Sequence, residues 1–211
     1  MFDNRLHAAK LLAERLEHYR DRHPLVLGIA RGAVPMAKVV AQALNCDWDV
    51  LLAKKLSAPG HAEFAVGAID ETGWVYLTDA VKQFAMSADD LSKQKNDLMA
   101  SMRQRRAQYD AIAPRITPTG RTVIVVDDGL ATGATMMAAL HSLREQTALK
   151  VICAVPIASS QSLSLVRQAA HEVVCLSHPE NFYAVSQGYR AFEQVDDTEV
   201  IDLLRSKVRA V

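Results

Sequence analysis

Two carboxylates and a small, hydroxyl-rich loop stand side by side in VIVVDDGLATGATM, residues 123–136. Gly129, Ala131, Gly133 and Ala134 are small enough for backbone N–H groups to approach an anion, and Thr132 and Thr135 add hydroxyl donors. Residues 133–146 have helical character, so a helix N-terminus aims its positive dipole end at the same place. An ionised carboxylate only accepts hydrogen bonds, so Asp127 and Asp128 need a partner other than the phosphate, and vicinal ribose hydroxyls are natural donors to them. A phosphate cradle a few residues from a diol clamp fits a ribose 5-phosphate. The loop lacks the Lys and the spacing of a nucleotide P-loop and lacks G-x-G-x-x-G, which argues against a nucleoside triphosphate or a dinucleotide.

The elements around this motif predict where it sits. TVIVVDD (122–128) reads as a buried strand, and in open α/β sheets ligands bind outside the carboxyl ends of strands. KVICAVPIA (150–158) and EVVCLS (172–177) read as strands, with SQSLSLVRQAA (160–170) as the helix between them. Upstream, Leu6, Ala9, Leu12, Ala13 and Leu16 predict an amphipathic helix within 3–20. LVLGIA (25–30) reads as a strand, AVPMAKVVAQAL (33–44) as a helix with Pro35 in its first turn, and DVLLAKKL (49–56) as a further strand. Residues 57–79 are punctuated by Pro59, Gly60, Gly67 and Gly73 and predict two small strands or a hairpin with a mobile tip. The longest helix is expected at 88–112, capped by Ser87 and ended by Pro114 and Pro118, and a closing helix near 197–208. Continuous apolar strands alternating with helices indicate a mostly parallel sheet covered on both faces, a three-layer α/β/α sandwich. Residues 1–211 read as a single domain, with no repeat or linker.

VIVVDDGLATGATM resembles the signature for 5-phosphoribosyl-1-pyrophosphate (PRPP) in type I phosphoribosyltransferases: four apolar residues, two acidic residues, then a loop closing in T-G-x-T. The order of strands and helices is similar over most of the chain. The resemblance implies that Ala131, Thr132, Gly133, Ala134 and Thr135 bind the 5'-phosphate and that Asp127 and Asp128 bind the ribose hydroxyls. It makes Ala30, Arg31 and Gly32 the pyrophosphate loop, with Arg31 as its charge; the lesser alternative is that Arg31-Gly32 is merely a turn. Lys54 or Lys55 would add a cation there; on an alternating strand they point to opposite faces, so at most one of them is expected to reach the site. Residues 57–85 would be the flexible loop, with His61 and Glu63 in it, and 178–195 the hood over the acceptor. Phe182, Tyr183 and Tyr189 could stack on a planar base there or pack as core. The catalytic group would comprise Asp127, Asp128 and Arg31. Mg²⁺ would be held mainly through PRPP oxygens, with Asp127 and Asp128 as candidate protein ligands. The implied reaction moves the phosphoribosyl group to a nitrogen nucleophile and releases pyrophosphate; the alternative is a PRPP-binding regulator without turnover. One departure stands out: family members acting on 6-oxopurines usually carry Asp immediately before T-G, where this chain has Ala131. The acceptor is thus left open. The family is often dimeric, so a homodimer is expected.

Composition sets the remaining bounds. The 211 residues are 50% hydrophobic and 23% charged, and formal net charge is zero. No global field would draw this chain to nucleic acid or an anionic membrane, so a charged substrate must be met by a local site. The N-terminus lacks the apolar segment of a signal peptide, and no apolar run approaches membrane-spanning length. Cys46, Cys153 and Cys175 are separate, odd in number and set among apolar neighbours, as reduced core thiols of a cytoplasmic protein would be. Arg103, Arg105 and Arg106 are expected on a solvated helix face, and the histidines are expected to be structural or solvated.

Overall fold

Val26, Ile124, Ile152 and Ala154 point to one apolar cluster, while Leu25, Leu27, Val123, Val125, Val151, Cys153 and Val155 point to another. That alternation is what a strand buried on both faces requires, and it organises the molecule into layers. A computed structural model describes residues 1–58, 60–84 and 86–208, with the backbone alone described for 62–64. In chain order the elements are α1 (Arg5–Arg15), β1 (Leu25–Ile29), α2 (Val34–Leu44), β2 (Asp47–Leu51), β3 (Ala53–Ala58), β4 (His61–Asp70), β5 (Val75–Leu77), α3 (Ala80–Gln83), α4 (Ala88–Asp110), β6 (Thr122–Val126), α5 (Ala134–Glu145), β7 (Lys150–Ile157), α6 (Ser160–Arg167), β8 (Glu172–Ser177) and α7 (Asp197–Val208).

The central sheet has the order β2-β1-β6-β7-β8, and every pairing in it is parallel. Residues of α1, α2 and α7 pack into the cluster on one face, and residues of α5 and α6 into the cluster on the other. The expected three-layer sandwich is therefore present. Because all five strands run the same way, their carboxyl ends and the loops that follow share one edge.

The chain departs from the sequence reading at residues 49–56. That segment is two strands, broken at Leu52: β2 pairs with β1 in the central sheet, and β3 pairs with β4 in a separate antiparallel sheet of order β3-β4-β5. Apolar periodicity alone cannot report a strand that changes partners. The expected small strands at 57–79 thus become the rest of a three-stranded sheet, which lies against α5 through Ala53 and Ala68 on Ala134 and Ala138. Pro59 and the side chain of Glu63 lie outside the described residues.

Helix α4 begins with the capping box that Ser87 announces: its hydroxyl accepts from Asp90 N at 3.0 Å. The arginines on this helix do not form a solvated patch. Arg106 is only 12% exposed and makes a two-pronged pair with Glu71, at 2.8 Å on each prong, while Arg105 pairs with Asp197. Arg103 alone of the three is exposed without such a pair among the described residues. The three cysteines are free, and burial pushes the Cys46 thiol up to about 12. Among the described residues, no helix is long and apolar enough to cross a membrane.

Candidate functional site

The turn from β6 into α5 is built around Gly133, whose φ of 76° lies in the left-handed region that glycine adopts without strain. It lets the chain reverse directly into the first turn of α5, whose leading N–H groups have no partner within the helix, and Ala134 N donates to Thr132 Oγ1 at 3.3 Å. Three bonds brace the turn from behind. Leu130 N donates to Ile157 O at 2.9 Å, Ser162 Oγ donates to Leu130 O at 2.9 Å, and Ser159 Oγ donates to Ala131 O at 3.0 Å. Ser159 caps α6 through Ser162 N, so the N-terminus of one helix steadies the loop that opens another. Ala131 and Thr132 are exposed at the tip, and Thr135 is half-buried.

This turn lines a cleft of about 740 Å³ at the carboxyl ends of β1 and β6. Ala131 to Thr135, Asp127, Asp128, Ala30, Arg31, Gly32, Lys54 and Lys55 all border it, so the structure gathers these sequence-selected residues into one place. Lys54 and Lys55 were expected to diverge. Both border the cleft.

The two acids sit in unequal settings. Asp128 accepts from Arg5 Nε at 2.9 Å, with a second guanidinium nitrogen also at 2.9 Å, and the two side chains are 17% and 12% exposed. Arg5 also donates to Glu193 O and lies 3.8 Å over the Phe192 ring. Asp127 Oδ1 accepts from Asp128 N at 2.9 Å. Burial, then the neighbouring Asp128 carboxylate, pushes the Asp127 acid well above the ordinary carboxylate range, with Lys55 and Arg5 acting in the opposite direction. Burial raises Asp128 too, and Arg5 offsets part of that rise. The pair therefore holds its second negative charge reluctantly, and hydroxyl or cationic partners would relieve it. Gly32 closes in from the other side: a Cβ there would lie 2.5 Å from Asp128 Oδ2, so no larger residue fits without displacing the acid.

Arg5 is a site residue that the sequence did not reveal. It lies 123 positions from Asp128 in a helix that reads as ordinary amphipathic, and nothing local marks it. The hood residues also sort differently from expectation. Tyr183 borders the cleft and is 82% exposed. Tyr189 is buried: its hydroxyl donates to Asp128 O at 2.6 Å, and its ring packs on Phe2 and Phe192. Phe182 is half-buried and packs at the edge of the core. Neither borders the cleft as Tyr183 does. Phe192, Val185 and Gln194 border the cleft in their place. Main-chain bonds from Phe2 N to Gly188 O at 2.7 Å and from Arg190 N to Phe2 O at 2.8 Å tie this segment to the N-terminus. Aromatic composition pointed to the segment, but which rings turn inward is decided by that tie.

At the far end of the cleft, the Ala30–Arg31 peptide bond is cis. Arg31 reaches Asp197 at 3.3 Å and Lys54 Nζ donates to Ser101 Oγ at 2.5 Å. Burial, then the nearby Arg105 charge, lowers the Lys54 ammonium from its ordinary value. The cleft thus has an amide-lined end, a central acid pair and a cationic end.

The family model described as "Phosphoribosyl transferase domain" matches residues 3–192. Two Mycobacterium tuberculosis proteins, named "Putative phosphoribosyl transferase" Rv0571c and MT0597, are each 40% identical over 205 residues. The match takes in 97% of this chain and 46% of theirs, so the chain spans about half the length of these curated relatives. The crystal structure of TT1426 from Thermus thermophilus superposes with a TM-score of 0.80 at 38% identity, covering 98% of each chain.

Proposed function

Because the chain belongs to the phosphoribosyl transferase family, we propose that it binds PRPP along the cleft and transfers the phosphoribosyl group to a nitrogen nucleophile. The observation that carries this reading is the set of groups gathered in one hollow: the first turn of α5, two acids, and several cations. That set is what the 5'-phosphate, the ribose diol and the pyrophosphate of one molecule call for. In the proposed reaction the bond from C1 of ribose to the pyrophosphate oxygen breaks, and its electron pair leaves with pyrophosphate. The acceptor nitrogen forms the new bond to C1 and sheds a proton to solvent.

Each group has a defined part in this reading. Ala131 to Thr135 anchor the phosphate, and Thr132 adds a hydroxyl donor. Asp127 and Asp128 accept from the ribose hydroxyls and place two negative charges near a centre that becomes cation-like. Arg31, with Lys54 and Lys55, takes up the charge on the leaving group. Tyr183, Phe192 and Val185 border the mouth where a flat acceptor would lie. The donor set suits hydrated Mg²⁺: Asp127 and Asp128 offer hard oxygens, and among the described residues no three His, Cys, Asp or Glu side chains gather to hold an ion on their own. When bound with PRPP, Mg²⁺ would supply further neutralisation of the pyrophosphate oxygens. A homodimer and a cytoplasmic setting belong to the same proposal.

The test is release of pyrophosphate from PRPP across a panel of nitrogenous bases and amines. Turnover with at least one acceptor, lost in Asp128→Asn, is the expected result. Tight PRPP binding without release by any acceptor would instead make the chain a PRPP-responsive regulator.

A further inference from the structure

Along α4, Gln94, Leu98, Ser101 and Arg105 recur at helical spacing and face β3 or the cleft. Gln94 clamps β3 by accepting from Ser57 N at 2.9 Å and donating to Ser57 O at 3.1 Å. Ser101 accepts from Lys54, and Leu98 and Arg105 border the cleft directly. Arg105 grips Asp197 with two nitrogens, Nε at 2.7 Å from Oδ1 and a terminal nitrogen at 2.9 Å from Oδ2. The same carboxylate accepts from Tyr109 Oη at 2.9 Å and, at 3.3 Å, from Arg31.

Resting on the PRPP reading above, we propose that Arg105 is a further ligand of the pyrophosphate group, and that Asp197 is the resident counter-ion that this group displaces. The stoichiometry of charge argues for it. Arg31, Lys54 and Arg105 converge at this end of the cleft, while Asp197 supplies a single carboxylate, so positive charge is left over. An arginine that presents two parallel donors to a carboxylate presents the same fork to a phosphate. Arg31, which makes the longest of the contacts to Asp197, is the first to be freed when a multiply charged anion enters. A staple whose only task was to join α4 to α7 would not need to border the cleft or to share its carboxylate with the pyrophosphate loop.

The experiment is calorimetry on the full chain with two probes used separately, inorganic pyrophosphate and ribose 5-phosphate. Arg105→Gln is expected to weaken pyrophosphate binding about tenfold or more, as loss of a charge-assisted contact does, and to leave ribose 5-phosphate affinity unchanged. Asp197→Asn is expected to tighten pyrophosphate binding severalfold, because a neutral amide competes less well for the two arginines. Arg105→Lys, which keeps the charge and loses the fork, serves if the glutamine variant does not fold. Unchanged pyrophosphate affinity on replacing Arg105, or weaker binding in folded Asp197→Asn, would overturn the proposal. Wild-type binding of pyrophosphate with none of ribose 5-phosphate would sink the transferase reading alone, and the effect at Arg105 would still decide this one.

Discussion

Ionising Asp127 in the folded chain places a charge beside Asp128 at a largely dry strand end, which is why burial and that neighbour raise its acid. A group whose folded value lies above its unfolded one supports the native state while it is protonated and weakens it as pH rises through the raised value. Asp127→Asn removes that penalty. The variant should unfold a few degrees above the wild type at neutral pH. Its advantage should shrink as pH falls toward the ordinary carboxylate range, where both states of the wild type carry the proton. Thermal melts from pH 4 to pH 8 check this, and a variant less stable than wild type at pH 7 would contradict it. The same substitution is expected to weaken ribose binding, so stability and function pull apart at this position. At this scale the sequence was readable where the chemistry is contiguous: Asp127, Asp128 and Thr132 stand within six residues of one another. Arg5, Arg105 and Phe192 were not, because each reaches the cleft by tertiary folding from an element whose own pattern is ordinary.

The small antiparallel sheet and α5 meet at a buried acid. Asp70 is fully buried and accepts from Thr72 N at 2.8 Å, Thr72 Oγ1 at 2.6 Å and Trp74 N at 3.0 Å. Its other oxygen lies 2.9 Å from His141 Nδ1, and Trp74 stacks on the imidazole with centroids 3.9 Å apart. His141 belongs to the same helix whose first turn opens the proposed phosphate cradle, so this contact fixes the sheet that carries Lys54 and Lys55 relative to that cradle. Asp70→Ala takes the acceptor away from two amides and a hydroxyl, and should cost about 2–4 kcal/mol of stability, read by denaturant unfolding. A loss below about 0.5 kcal/mol would show that the turn re-forms without the acid. The sandwich elements were legible in the sequence because each strand is buried on both faces and bounded by turn residues. The division of 49–56 was not, since β2 and β3 differ in partner and direction, and neither property leaves a mark on local apolar spacing.

For the whole molecule, zero net charge coexists with a strongly polarised cleft. Arg5, Arg31, Lys54, Lys55 and Arg105 border it, and Asp127 and Asp128 are the carboxylates among its lining residues. The parallel sheet makes this possible by bringing the ends of β1 and β6 to one edge, and the N-terminal segment and the hood close it through Phe2, Tyr189 and Phe192. The central claim is that the bend between β6 and α5 holds the 5'-phosphate of a phosphoribosyl group. Amide NMR of the full chain titrated with ribose 5-phosphate tests it most directly. The account predicts that the largest shifts fall on the amides of Thr132, Gly133, Ala134 and Thr135, with smaller ones at Asp127 and Asp128. Saturable shifts centred elsewhere, or no shift at those four amides, would contradict it.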